Sequence, residues 1–279
     1  AEDGIRDRSP SRGLGDVYKR QRETIATKLD EIARTEDVTI LYACESGSRG
    51  WRFSSVDSDY DVRFLYLRKI EKYLSIHPIR DVIELPISDQ LDIVGWDFRK
   101  ALQLLQRSNS RLLEWISSPI VYVQPSEVVE ELWRLAPAYF SPLACGKHYY
   151  QTARHYFSLA VDDERMQVKA MLYALRTILA VNWIEKIGSP VPMDFWVSAE
   201  RIIQSSEIRE GIQQLYAAKS NTSEQAKIAI IPALQTYCAQ EIRRLEAIVP
   251  CFEHRIGPDE PLNRLFRQAL WLDKPPPTA

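Results

Sequence analysis

The sequence predicts an α+β fold, with a small mixed β-sheet in the N-terminal third followed by an all-helical domain. Two observations carry this. Short apolar runs rich in β-forming residues, separated by turn residues, occupy positions 38–94. From Asp97 onward the apolar residues recur with a period near 3.6 almost without relief, which is the spacing of one buried helix face. With 279 residues and 45% apolar content, the chain has enough material for a packed core in one large domain or two ordinary ones.

The elements follow in order. Ile25, Leu29, Ile32 and Ala33 recur at helical spacing. Val38, Ile40, Leu41, Tyr42 and Ala43 then form a short apolar run that reads as a buried strand. Glu45-Ser46-Gly47-Ser48 interrupts it, and after a turn-rich stretch a second strand is expected over residues 60–66. Third and fourth strands are expected at 81–85 and 91–94, around the turn-like residues 86–90. Asp97 is placed to cap a helix carrying Phe98, Ala101, Leu102 and Leu105, and Leu112, Leu113 and Ile116 continue the helical pattern. A strand at 120–123 stands between Pro119 and Pro125. Helices are expected at 127–135, 142–161, 164–187, 194–204, 207–217, 223–247 and 260–271. The organisation read from this is a sheet-bearing domain over 22–125, a helical domain over 126–272 and a disordered tail over 273–279. Residues 1–21 have no initiator Met and resemble a translated sequencing adapter, so they are left out of the fold argument; as native sequence they read as a disordered arm.

Composition narrows the function. The formal charge is −2, from 36 basic and 38 acidic residues, so no bulk field holds a polyanion and any phosphate binding must be local. Cys44, Cys145, Cys238 and Cys251 are far apart and lack histidines at ligand spacing, which points to neither a disulfide framework nor a zinc site. No apolar run reaches the about 20 residues that span a bilayer, and the expected location is the cytoplasm, with no membrane partner.

The chemistry-bearing residues cluster in the first third. Alternate residues of a strand project to one face, so Asp59 and Asp61 in Ser58-Asp59-Tyr60-Asp61-Val62 can turn both carboxylates to one side, with Tyr60 and Val62 facing the core. Two acids so close repel unless a cation neutralises them, and hard divalent cations want carboxylate oxygens. Taken alone, such a pair also ends strands and caps turns. Gly47 and Ser48 follow directly on a strand, where glycine admits close backbone approach to a phosphate and serine adds a hydroxyl. Arg49, beside that turn, is placed for a phosphate contact, and residues 49–53 suit a short helix facing a triphosphate. Arg52 and Arg63 are expected to be exposed or to pair with acids.

Gly47-Ser48, ten intervening residues, then Asp59-Tyr60-Asp61 resembles the Gly-Ser and Asp-x-Asp signature of DNA polymerase β-like nucleotidyltransferases. Residues 45–51 with 57–63, the stretch 91–102 and the segment 172–176 are similar to the predicted nucleotidyltransferase family associated with bacterial and phage RNA repair. The resemblance covers most of residues 22–271. It implies a polymerase β-like palm for the sheet, and transfer of NMP from an NTP to an acceptor hydroxyl with two Mg²⁺ or Mn²⁺ ions. It also implies a third carboxylate on a neighbouring strand. Asp92, flanked by Leu91 and Ile93, matches best; Asp97 is the rival but sits where a cap is wanted, and Glu84 is an outside candidate. Asp59, Asp61 and Asp92 are thus the candidate catalytic and metal-binding residues.

The superfamily also places basic and aromatic residues of its helical domain on the nucleotide cleft. Lys169, Tyr173 and Arg176 fall at i, i+4 and i+7, opposite Met171, Leu172, Leu175, Ile178 and Leu179, and are candidates for that wall beside Gly47, Ser48 and Arg49; an ordinary solvated face gives the same pattern. Lys147, Gln151 and Arg154 make a similar row near Tyr149, Tyr150 and Tyr156, where core tyrosines and surface cations are the favoured reading. His148 and His155 lack a third ligand. RNA, a protein hydroxyl or a small molecule is left open as acceptor, with RNA favoured, and a non-catalytic nucleotide or RNA sensor is the alternative.

Overall fold

A long helix, α1 (Pro10–Thr35), leads into the sheet. Its Ile25, Leu29 and Ile32, one and two turns apart, are buried against Ala43, Val62, Phe64, Ile83, Leu91 and Ile93. The computed structural model describes residues 10–55, 57–87, 90–162, 164–221 and 226–271. The helix therefore starts upstream of Arg22, where the apolar pattern becomes readable. Of the arm expected at 1–21, residues 10–21 belong to α1, and residues 1–9, like the tail expected at 273–279, lie outside the described residues.

Strands β1 (Val38–Glu45) and β2 (Tyr60–Arg68) pair antiparallel, joined through the single-turn helix α2 (Gly47–Gly50). After α3 (Ile70–Tyr73), β3 (Val82–Glu84) pairs antiparallel with β4 (Leu91–Asp97), and β4 lies parallel beside β2. Helix α4 (Phe98–Gln106) begins on Asp97, whose carboxylate accepts the Arg99 N–H at 2.8 Å. Helix α5 (Ser110–Ile116) is capped by Asn109, and β5 (Val121–Val123) adds antiparallel to β1. The sheet order is β3-β4-β2-β1-β5, so the parallel pair, β2 with β4, sits inside the sheet.

The second half contains α6 (Glu127–Tyr139), α7 (Pro142–Ala160), β6 (Arg165–Gln167), α8 (Val168–Ile187), α9 (Phe195–Ile202), α10 (Ser206–Asn221), β7 (Lys227–Ala229), α11 (Pro232–Ile248) and α12 (Asp259–Trp271). It is not all-helical. Where helices were expected to begin, at 164 and at 223, β6 and β7 pair antiparallel instead, and α8 and α11 start at Val168 and Pro232. The physical reason for the second correction is Pro232, which suits the first turn of a helix and not its interior; positions 222–225 lie outside the described residues.

The two faces of the sheet have different covers. On β2, Val62, Phe64 and Tyr66 pack with α1, while Leu65 and Leu67 join the core of the helical half. Asp61 and Arg63 continue the second series by the period of two, and Asp92 does the same on β4, where Trp96 packs toward the helices. That core runs unbroken from Leu41 in β1 to Ala269 in α12, across the boundary suggested at 125. The acidic side chains therefore open on the helical side of the sheet. Among the described residues, no helix is long and apolar enough to cross a membrane.

Candidate active site

The turn after β1 is built around Asp61. The Ser46 N–H donates to the Asp61 carbonyl at 2.8 Å, and the Asp61 N–H donates to the Glu45 carboxylate at 2.8 Å. Glu45 is fully buried; it also accepts the Tyr122 hydroxyl, and its carbonyl accepts Ser118 Oγ at 2.6 Å. Burial pushes the Glu45 carboxyl up to about 7, against the lowering effect of its hydrogen bonds with Tyr122 and Asp61. Gly47 has φ +55°, and a Cβ there would lie 1.8 Å from Asp61 Oδ2. Only glycine fits this bend for both reasons, and the Asp61 carboxylate consequently lies directly against the Gly47-Ser48 turn.

Parallel pairing sets Asp61 opposite Asp92. Their side chains converge on one atom: Arg63 Nη2 lies 2.7 Å from Asp61 Oδ1 and 2.7 Å from Asp92 Oδ2. Arg63 Nη1 donates to the carbonyls of Asp92, at 2.8 Å, and Val62, at 3.2 Å. Burial raises the Asp61 carboxyl above its ordinary value; Arg63 opposes this, while the charges of Asp92 and Asp59 reinforce it. Asp59 itself is exposed at the mouth of β2. Among the described residues no trio of His, Cys, Asp or Glu side chains closes around one point. The expected three-acid cluster is not closed here: Asp61 and Asp92 converge on Arg63, and Asp59 stands exposed at the start of β2. Two carboxylate oxygens aimed at one cation at 2.7 Å each are a donor set that suits a hard divalent ion.

The other sequence candidates take different posts. Arg49 does not stand free for a phosphate: its Nε and Nη2 donate to the carbonyls of Asp59 and Ser58, and its guanidinium lies 3.9 Å from the centre of the Tyr60 ring. It orders the turn that carries Asp59. Asp97 is consumed as a cap and also accepts the Tyr73 hydroxyl at 2.9 Å. Glu84 is exposed on the edge strand and pairs with Arg80. Arg52 approaches Asp194 at 3.9 Å. Lys147, Gln151 and Arg154 are exposed on α7, whereas Tyr149 and Tyr150 are buried. Cys44, Cys145 and Cys238 are buried free thiols and Cys251 is exposed.

The row on α8 needs correction as an open polar stripe, because that helix is buried nearly all round. Arg176 points inward and pairs with Glu114 of α5 at 2.8 Å. Glu114 also accepts the Tyr149 hydroxyl at 2.8 Å and Trp51 Nε1 at 3.3 Å. The Arg176 guanidinium covers the Trp51 ring at 3.9 Å, and Tyr173 meets Trp51 edge-on at 5.1 Å. Trp51 closes α2, so these helical-half residues brace the Gly47-Ser48 turn from behind. From the other side the Phe195 N–H donates to the Trp51 carbonyl and Trp196 Nε1 to that of Arg52. Lys169 is half-buried in the first turn of the same helix.

Glu45, Arg63, Trp51 and Glu114 were not singled out as site residues from sequence. For Arg63 a signal existed, since it follows Asp61 by two in a strand and must share its face. Glu114 lies within an apolar helical pattern, and nothing local distinguishes it from a surface acid.

The family comparison agrees with the signature. The family described as "RNA repair pathway DNA polymerase beta family" matches residues 21–268. An uncharacterised protein, YcgL, of Bacillus subtilis (strain 168) is 40% identical over 256 residues, covering 90% of this chain and 98% of the relative. A nucleotidyltransferase-like protein from Exiguobacterium sibiricum 255-15, of known crystal structure, is 14% identical with a TM-score of 0.31, over 91% of this chain and 81% of that one.

Proposed function

The chain belongs to the RNA repair pathway DNA polymerase beta family, and from that premise we propose that it transfers NMP from a nucleoside triphosphate to an acceptor hydroxyl, with an RNA 3′ end as the acceptor. The observation that carries this reading is the convergence of Asp61 and Asp92 on one cationic group, with the Asp61 carboxylate itself directly against Gly47. The hydroxyl oxygen bonds to the α-phosphorus, the bond from that phosphorus to the bridging oxygen breaks, and pyrophosphate leaves with the electron pair. The hydroxyl proton passes to Asp92 or to water.

Asp61 and Asp92, with Asp59 beside them, would hold the two Mg²⁺ or Mn²⁺ ions, which when bound neutralise triphosphate charge and acidify the attacking hydroxyl. Gly47 and Ser48 bind the triphosphate with backbone and hydroxyl. Arg49 sets the Asp59 turn, Tyr173 and Arg176 act through Trp51, and Lys169 remains the member of that row assigned to the nucleotide wall of the cleft. The test is a panel of labelled NTPs with Mg²⁺ or Mn²⁺ against total RNA and total protein of a bacterial lysate. Label in the RNA fraction supports the reading, and label in protein redirects it to a protein-nucleotidylating regulator. Absence of pyrophosphate release with any acceptor, with Asp59→Ala and Asp61→Ala behaving like the parent, would sink it.

A second reading, a nucleotide or RNA sensor without turnover, draws on the arginine that already occupies the two acids. Tight NTP binding that persists in EDTA would favour it.

A further inference from the structure

The reaction described above assigns no task to Arg63, yet this side chain contacts both of the acids that converge. Its Nη2 touches both Asp61 and Asp92, and its Nη1 is anchored to the main-chain carbonyls of Asp92 and Val62. The guanidinium is mostly buried, with 15% of the side chain exposed, whereas the two acids are 26% and 28% exposed. One positive charge faces two negative ones, and the charge of Asp59 also acts on Asp61. The cluster is thus held together by a cation that does not neutralise it. A fork of this shape can bridge two carboxylates where a lysine ammonium, a point charge, meets one.

Resting on the reading of Asp61 and Asp92 as metal ligands, we infer that Arg63 is the resident counter-cation of the metal seat. In the metal-free chain it holds the two acids at single-cation spacing, and a divalent ion gains them only as the guanidinium gives up those two oxygens. The main-chain anchors at Asp92 and Val62 keep the displaced arginine beside the site. Arg63 therefore sets how tightly the metal binds, and stabilises the strand pair β2–β4 when no metal is present. The competition is thermodynamic: whatever favours the arginine-bound arrangement weakens metal binding by the same factor.

The experiment uses the full chain without nucleotide. Free Mn²⁺ is titrated by electron paramagnetic resonance for the parent, Arg63→Gln, Arg63→Lys and Asp61→Asn, and each is melted in EDTA and in saturating Mn²⁺. Arg63→Gln is expected to melt lower than the parent in EDTA, to gain more from Mn²⁺, and to reach half-saturation at a concentration lower by about tenfold, within the usual range of coupling between competing interactions. Arg63→Lys keeps the charge and so the fold; it is expected to fall between the two, and decides the matter if the glutamine variant does not fold. Equal half-saturation in the parent and both arginine variants, with Asp61→Asn binding weakly, would overturn the role of Arg63 while leaving the metal seat standing. Absence of Mn²⁺ binding in every protein would remove the metal seat and this inference together.

Discussion

Two arginine–acid clusters lie on either side of the Gly47-Ser48 turn, and they are built to opposite specifications. In the first, Arg63 serves Asp61 and Asp92, two acids partly open to solvent that outnumber their cation. In the second, Arg176 serves Glu114 alone, both nearly buried, and Glu114 is further saturated by Tyr149 and Trp51. The Arg176 Nε has no acceptor, but the face of its guanidinium is covered by the Trp51 ring. A balanced buried pair cannot lose a partner cheaply, because the survivor is an uncompensated charge. An unbalanced half-open cluster can trade its cation for another. The comparison teaches which charges hold the fold and which are available for chemistry.

The largest effect expected from breaking this contrast falls on the balanced cluster. Glu114→Ala strands Arg176 in the core and is expected to cost about 3–5 kcal/mol in urea unfolding; a loss under 1 kcal/mol would show that the cluster is not the brace described. Asp61→Asn should reverse the pattern. Turnover is expected to fall on the order of 10²–10³-fold, the scale of losing one group aimed at developing charge, while melting in EDTA holds, since Arg63 and Asp92 then balance. A parallel collapse of melting temperature would erase the distinction between the clusters.

Gly47→Ala sharpens the comparison at the turn that both clusters touch. Its φ of +55° and the 1.8 Å approach to Asp61 mean that the new Cβ must move the carboxylate. A drop in turnover of about 100-fold is expected, as for an ångström-scale misplacement, with the Mn²⁺ half-saturation raised. Tyr122→Phe removes one of the donors to buried Glu45 and is expected to cost about 1–2 kcal/mol, read by thermal melting. Smallest of all, Lys147→Ala and Arg154→Ala on exposed α7 should stay within about 0.5 kcal/mol of the parent and leave labelling of RNA unchanged. A marked loss of labelling would extend the site onto that helix.

How much of this was legible beforehand differs between the same two regions. Residues 38–68 announce themselves, because apolar alternation, the Gly-Ser bend and the Asp-x-Asp pair are local patterns with local causes. Asp92 and the Asp97 cap were readable for the same reason, and Asp97 does cap α4. The helical half was legible as helices but not in its details. A short strand such as Arg165–Gln167 has too few residues to show a period, and its partner lies 64 positions away in the pairing Arg165 with Ala229. Lys169, Tyr173 and Arg176 were read as one polar stripe, a cleft wall or else a solvated face, because polarity was taken as a guide to exposure, and the buried pair of Arg176 with Glu114 defeats that guide.

By itself the sequence determined the α+β class, the chain order of the five strands of the main sheet, and a glycine–serine bend facing acids on a strand, since each depends on spacings of two to four residues or on the φ that one residue tolerates. Only the tertiary structure decided that Arg63 stands between Asp61 and Asp92, that Arg176 turns inward to Glu114, and that both clusters meet at Trp51 and Gly47. These depend on a parallel register between strands 31 residues apart, Asp61 against Asp92, and on helices closing over one continuous core. Long-range placement of charge follows from packing, and no local period encodes it.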